Sequence, residues 1–274
     1  MFPPKPSITC KICNTAAMHY PLNIKGSDIF YCKSCAVFLR AASYSDIELH
    51  LDGRGYTNLK NEELLRQKRN HFFDYILTTT SKYTTIVTAW LDFGCAYGHL
   101  LQKLHSRGVQ AYGVEINKKL YDYCNSQGLQ VFTAMETLPC NLYFDVISAI
   151  DSFYYDPEPI KTVTSFHRHL TDNGILILRI TNLNWLMKCQ KLFGIKLPYS
   201  GMGDAFIGYS KKAIERVLET GGFKIVKYQY AEKGKKQSLF HNLFYKVTYI
   251  LSMLSFYKWP VTPGIIIIAR KVTK

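Results

Sequence analysis

At 274 residues, with 47% hydrophobic and 14% aromatic content, the chain can hold one large α/β domain plus a small accessory module, and an intrinsically disordered protein is excluded. The net charge of +14 is concentrated in the last third, where residues 181–274 hold 16 Lys/Arg against 4 Asp/Glu. A basic region of this kind suits nucleic acid, an acidic membrane surface or a phosphorylated small substrate, whereas the plain reading of Lys233-Gly-Lys-Lys236 is a solvated loop.

Met1-Phe-Pro-Pro-Lys-Pro6 is too polar and proline-rich to read as a signal peptide. No apolar run reaches the ~18–20 residues that span a bilayer, so a cytoplasmic protein is expected. Cys10-Lys-Ile-Cys13 and Cys32-Lys-Ser-Cys35 then form two Cys-x-x-Cys pairs separated by 18 residues. Two such knuckles bring four thiolates to one tetrahedral metal, and the spacing matches a zinc ribbon over residues 1–42. Cys10, Cys13, Cys32 and Cys35 are therefore the expected ligands of a structural zinc with no open coordination position. Ala36-Val-Phe-Leu39 reads as the ribbon's last strand. The other four cysteines, Cys95, Cys124, Cys140 and Cys189, are scattered and read as small buried hydrophobes.

Residues 43–85 read as a linker and a helical lid, with helical apolar spacing from Asn61 to Leu77 that either covers a ligand pocket or packs on the sheet. From residue 86 to the C-terminus, strands and helices alternate at βαβ spacing. Strands are expected at 86–92, 110–115, 129–133, 144–149, 174–180, 223–229 and 264–270. Helices are expected near 98–107, 117–126, 158–170, 210–220 and 240–256. The central strands are apolar with little alternation, as expected when both faces of a parallel sheet are covered. In the last helix, the apolar residues at 240, 243, 244, 247, 250, 251 and 254 favour core or substrate-lid packing. The alternative for 239–257 is a helix lying on a membrane surface.

The chemistry centres on Leu91-Asp-Phe-Gly-Cys-Ala-Tyr-Gly98. A buried strand runs into a tight turn whose glycines admit a ligand against bare main chain, and a helix N-terminus follows. In an open parallel sheet, ligands sit beyond the carboxyl ends of the strands, where the strand order reverses. Glu115 closes the second strand, where a carboxylate can accept both hydroxyls of a ribose.

The combination resembles the class I S-adenosylmethionine-dependent methyltransferases from about residue 60 onward. The glycine turn, Glu115, Phe144-Asp-Val-Ile-Ser-Ala-Ile-Asp151, the His169-Leu-Thr-Asp-Asn-Gly174 turn, Gly222-Phe223 and Ile265-Ile-Ile-Ile268 follow one another as that family's elements do. The resemblance implies a Rossmann-like, doubly wound seven-stranded α/β sheet with its last strand antiparallel, behind a small zinc ribbon. With the ribbon in front, the chain is most similar to sugar, lipopolysaccharide and natural-product tailoring enzymes.

Carried over position by position, the resemblance places Gly94, Ala96 and Gly98, with Phe93 and Cys95, at the methionine and ribose portions of S-adenosylmethionine. Asp92 would reach its amino group, Glu115 its ribose, and Ile116, Met135, Glu136 and Ile150 its adenine side. Asn117 and His99 are secondary candidates. Two departures stand out. Ala96 occupies the family's middle glycine, and Tyr154 and Tyr155 stand where many relatives carry a glutamate–histidine pair. Asp151, Tyr154 and Tyr155 are then the candidates for handling an acceptor proton. A sugar or nucleotide-sugar acceptor is the favoured reading. An RNA methyltransferase and a non-catalytic cofactor-binding protein are the alternatives.

Overall fold

The computed structural model describes residues 6–24, 27–41, 57–182, 205–230, 239–256, 261–262 and 264–272, together with Ser45 and Met187. The expectations for Lys233-Gly-Lys-Lys236, Cys189 and most of the linker over 43–56 lie outside the described residues.

Four short strands, β1 (Ser7–Thr9), β2 (Ala16–Ile24), β3 (Ser27–Cys32) and β4 (Val37–Arg40), form an antiparallel meander. Two of its turns, β1–β2 and β3–β4, hold the paired cysteines. In each turn the residue after the second cysteine adopts positive φ, Asn14 at 57° and Ala36 at 54°. This left-handed step folds the chain back so that both thiols of a pair point the same way.

Helix α1 (Glu62–Thr80) follows, and then the strand–helix alternation begins: β5 (Ala89–Phe93), α2 (His99–His105), β6 (Gln110–Val114), α3 (Lys118–Ser126), β7 (Gln130–Phe132), β8 (Phe144–Ile150), α4 (Pro159–His169) and β9 (Leu170–Thr181). A two-residue strand, β10 (Ile207–Gly208), precedes α5 (Lys211–Thr220), β11 (Phe223–Tyr230), α6 (Leu239–Leu254) and β12 (Gly264–Lys271). Local chemistry sets the helix starts: Asn117 caps α3 by accepting the Leu120 N–H, Ser210 caps α5 by accepting the Ala213 N–H, and Pro159 opens α4.

The seven-stranded sheet runs β11-β12-β9-β8-β5-β6-β7. Its pairs are parallel from β9 through β7, whereas β12 is antiparallel to both β9 and β11. This is the doubly wound fold expected from the sequence. Helices cover both faces, so the aliphatic runs are buried throughout: Ile175 to Leu178 and Ile266 to Ile268 are all fully inaccessible. The strand order reverses between β5 and β8. Asp145 locks that pair at the opposite end, accepting the Thr88 and Ala89 N–H groups and the Thr88 hydroxyl. Burial alone would raise its carboxyl pKa; these bonds outweigh burial and hold it below the usual range.

Four features differ from the sequence expectations. The first core strand begins at Ala89, because Ile86 is 73% exposed and pairs with no strand. The N-terminal meander is not closed on itself: β10 adds to the edge of β4, so a segment 170 residues downstream completes its sheet. Most consequentially, the described apolar side chains of α6 do not pack into the core; positions 240 and 244 lie outside the described side chains. Leu243, Val247, Ile250, Leu251 and Leu254 are all exposed, while the small polar residues Thr248 and Ser252 are buried. Cys140 is likewise exposed, against the buried setting expected of it. Among the described residues, no helix is long and apolar enough to cross a membrane.

Candidate active site

At the switch point the carboxyl ends of β5, β6 and β8 open onto a cavity of about 710 Å³, within the size range of small-molecule sites. Its floor is the glycine turn. Gly94 takes φ +74°, and an added Cβ there would stand 2.4 Å from the Ser152 Cβ, so only glycine fits. The Ser152 hydroxyl donates to the Phe93 carbonyl and ties the turn to the end of β8. Ala96 adopts φ +51°, a left-handed conformation that costs a non-glycine residue about 1–3 kcal/mol. Its N–H is anchored by Glu115, whose Oε2 accepts it at 2.8 Å.

Glu115 lies at the cavity wall yet is only 4% exposed. Its Oε1 accepts the Asn117 N–H at 2.8 Å, and burial raises its pKa. The backbone N–H groups of Ala96, Asn117 and Ile116 all bond this carboxylate, which offers about four acceptor sites and so keeps some capacity toward the cavity.

Phe93, Gly94, Cys95, Ala96, Ile116, Met135, Glu136, Ile150, Asp151, Tyr154 and Tyr155 also line this cavity, so most sequence-derived candidates share one space. Gly98 and Asp92 do not line it. Gly98 instead starts α2 at φ +70°, where an added Cβ would strike Leu129. Asp92 sits behind the wall and accepts the Ser148 hydroxyl at 2.6 Å, while Ser148 in turn accepts the Trp90 indole N–H. Burial pushes the Asp92 carboxyl up to about 7. Glu136 is exposed at the rim and paired with Lys161 at 2.7 Å.

The three candidates for proton handling occupy different environments. Asp151 follows β8 at φ +59°; its N–H donates to the Arg179 carbonyl and its carboxylate is ion-paired with the Arg179 guanidinium. Burial, and then the charge of Asp151, push the Tyr154 phenol well above its ordinary range. Tyr154 and Tyr155 pack ring against ring at 4.8 Å, and Tyr155 meets Phe206 edge-on. A neutral Tyr154 phenol and an arginine-bound Asp151 carboxylate position an acceptor more readily than they deprotonate one.

Helix α1 supplies a wall that motif reading misses. Leu65, Arg69 and Phe73 line the cavity, while Phe73, Ile76 and Leu77 pack with Trp90, Leu100 and Ile175. The helix therefore both covers the pocket and packs against the sheet. It is tied down by His99, which meets Glu62 at 2.7 Å, and by the Tyr97 hydroxyl, which donates to the Asn58 carbonyl. Two signals in the sequence pointed here: Arg69 sits between Leu65 and Phe73 at four-residue spacing, and Arg179 interrupts an otherwise aliphatic buried strand.

A family model described as "Methyltransferase domain" matches residues 58–228, well over half of the chain and covering every wall of the cavity just described. The chain belongs to this methyltransferase-domain family. No curated protein matches this methyltransferase in sequence. Among solved structures it is similar to an S-adenosylmethionine-dependent methyltransferase from Clostridium acetobutylicum, at TM-score 0.54 and 17% identity over 78% of this chain and 96% of that one. It is also similar to the plantazolicin methyltransferase BpumL in complex with SAH, at TM-score 0.54 and 11% identity over 83% and 96% of the two chains. At these identities the likeness is one of fold.

Outside the cavity, the thiols of Cys10, Cys13, Cys32 and Cys35 converge, with all four sulfurs within 4.8 Å of one another. A tetrahedral zinc with Zn–S bonds of about 2.3 Å needs sulfurs ~3.8 Å apart, so the group fits such an ion. Burial would raise the Cys13 pKa, but hydrogen bonds from Thr15 and the neighbouring thiols outweigh it and bring it down to about 6. The cluster also touches the methyltransferase domain: the Ser210 hydroxyl donates to the Cys35 carbonyl. Beside it the Arg40 N–H donates to the Phe206 carbonyl, and the Phe206 N–H donates to the Tyr154 carbonyl.

Proposed function

We propose that this methyltransferase uses S-adenosylmethionine to methylate a small molecule of the sugar, nucleotide-sugar or glycan-precursor class. The observation that carries the donor is the buried Glu115 carboxylate beside the Gly94–Ala96 turn, at the point where the sheet reverses. A ribose brings two hydroxyl donors to the acceptor capacity left on that carboxylate, and the turn leaves room for the methionine portion against bare backbone. Met135 and Ile150, both buried, give an apolar setting for the adenine. The chemistry supplied by the bound donor is a single in-line displacement of a methyl group from a sulfonium sulfur.

The chain's own contribution to that step is alignment. Well-oriented reactant pairs gain up to roughly 7–11 kcal/mol over free encounter. Tyr154 and Tyr155 offer aromatic faces of the kind on which sugar and base rings stack, and Arg69 brings positive charge to the same cavity, where the charge of Arg179 is paired with Asp151. Those two features support a phosphorylated or nucleotide-linked sugar. The neutral Tyr154 phenol and the Asp151 carboxylate ion-paired with Arg179 suit an acceptor atom that is already nucleophilic.

In this reading the four cysteines hold one structural zinc. With every position filled by thiolate, it contributes no open site, and its work is to fix the β4–β10 edge, beside which Phe206 bonds the Tyr154 backbone at the cavity wall.

The test of the donor assignment is replacement of Glu115. Glu115→Ala should weaken S-adenosylmethionine binding at least about a hundredfold, the free-energy equivalent of losing two charge-assisted hydrogen bonds. The acceptor class is tested by incubating the wild type with methyl-labelled donor and a panel of nucleotide-sugars. Label transferred to transfer RNA or ribosomal RNA instead would move the assignment to the nucleic-acid reading.

A further inference from the structure

Helix α6 is built the wrong way out for a soluble domain. Leu243, Val247, Ile250, Leu251 and Leu254 recur at the spacing of one helical face and all point to solvent, Leu243 at 63% and Leu254 at 73% exposure. The opposite face carries Thr248 and Ser252, which are 3% and 0% exposed, and the Ser252 hydroxyl accepts the Val261 N–H. Phe256, just beyond the helix, is 89% exposed. A single exposed leucine means nothing, but a contiguous apolar stripe of five marks an interaction surface.

The charge around this stripe identifies its partner. In sequence, residues 233–274 contain no Asp or Glu and eight Lys/Arg, of which Lys246, Arg270 and Lys271 are among the described residues. Lys246 is exposed on the border of the stripe, and the exposed Lys82, Lys224 and Lys227 outnumber Glu215 and Glu219 around a groove that Tyr249, Met253 and Phe256 line from the helix side. An apolar face bordered by cations matches an anionic lipid surface: acyl chains take the stripe and headgroup phosphates take the lysines. At 16 residues the helix is too short to span a bilayer, so it lies in the plane of the interface.

We propose that α6 seats the protein on an anionic membrane surface, with Leu243, Val247, Ile250, Leu251 and Leu254 entering the headgroup boundary and Lys224, Lys227 and Lys246 contacting lipid phosphates. Helix α1 ties this face to the cavity: its Tyr75 hydroxyl accepts from Gln229 on β11, while Leu65, Arg69 and Phe73 of the same helix wall the cavity. The proposal does not rest on the identity of the methyl donor or acceptor.

The test is co-sedimentation of the full chain with vesicles of phosphatidylcholine alone and of phosphatidylcholine containing about 30% phosphatidylglycerol. Binding is expected to the anionic vesicles, weakening at least about tenfold in 0.5 M salt. The variant Ile250→Glu/Leu254→Glu should lose binding with its thermal melt unchanged, since both side chains are exposed. Lys224→Gln/Lys227→Gln/Lys246→Gln should weaken it at least about tenfold while leaving the apolar face intact. Two results would overturn the proposal. One is wild-type protein remaining in the supernatant with both vesicle types. The other is a dimer by light scattering that Ile250→Glu/Leu254→Glu converts to a monomer, which would assign the face to a second copy of the chain.

Discussion

Glu115 joins the two halves of the candidate site at the scale of single atoms. It holds the strained Ala96 turn through one oxygen and the start of α3 through Asn117 with the other, so its removal disturbs the cradle as well as the donor contact. Glu115→Gln keeps the shape and lowers the charge, and it should bind the donor more tightly than Glu115→Ala. Tyr154 behaves in the opposite way. Its phenol is held neutral, so Tyr154→Phe should retain at least about half of wild-type turnover in a labelled-methyl assay, whereas a base would lose 100-fold or more. Asp92 gives a pH signature. Burial lifts its carboxyl from 3.8 to about 7, so the folded chain keeps a proton that the unfolded chain releases. The associated stability is fully present below pH ~4 and is lost as pH rises through ~7, on the order of 4 kcal/mol at about 1.4 kcal/mol per pH unit. Asp92→Asn cannot ionise, and its melting temperature relative to wild type should climb from pH 5 to pH 8. A constant difference across that range would show that Asp92 ionises normally.

At the scale of elements, the strands were legible because a parallel sheet buried on both faces writes itself as continuous aliphatic runs. Ile175 to Leu178 and Ile265 to Ile268 read the same way in sequence and in space. The glycine turn and Glu115 were legible because their backbone and charge requirements are local. Arg69 and Arg179 were less so: the spacing with Leu65 and Phe73 and the break in an aliphatic strand mark the two positions, but only tertiary packing carries them to a cavity. Helix α6 failed for a related reason. Apolar periodicity shows that a helix has a face and says nothing about what covers it. The β4–β10 pairing was invisible because two residues make no pattern, yet it joins the cysteine cluster to the wall that holds Tyr154 and Phe206. If zinc organises that edge, elemental analysis should find one zinc per chain. Chelation should lower the melting temperature by about 5 °C or more, and it should disturb acceptor binding more than donor binding. A metal-free chain with an unchanged melt would remove the structural role.

At the scale of the whole molecule, three layers are fastened by few but specific links. The meander is completed by β10, α1 closes over the cavity through Glu62–His99, and Gln229 bonds Tyr75 and Thr79 of α1 to the far edge of the sheet. The core reflects this joining: Cys10, Val37 and Leu39 of the meander pack in one cluster with Ile207, Tyr209 and Leu218. The described residues thus present an open, largely apolar cavity at the sheet's switch point, a thiol cluster beside its Tyr154 wall, and an exposed apolar helix face with basic flanks. The central claim is that the cavity holds S-adenosylmethionine through Glu115. Calorimetric titration of the full chain with that donor tests it most directly. One site per chain with a Kd in the range of about 1–100 μM, lost in Glu115→Ala while the variant remains folded, is the predicted result. Absence of binding by the folded wild type at about 1 mM donor, or unchanged affinity in Glu115→Ala, would contradict it.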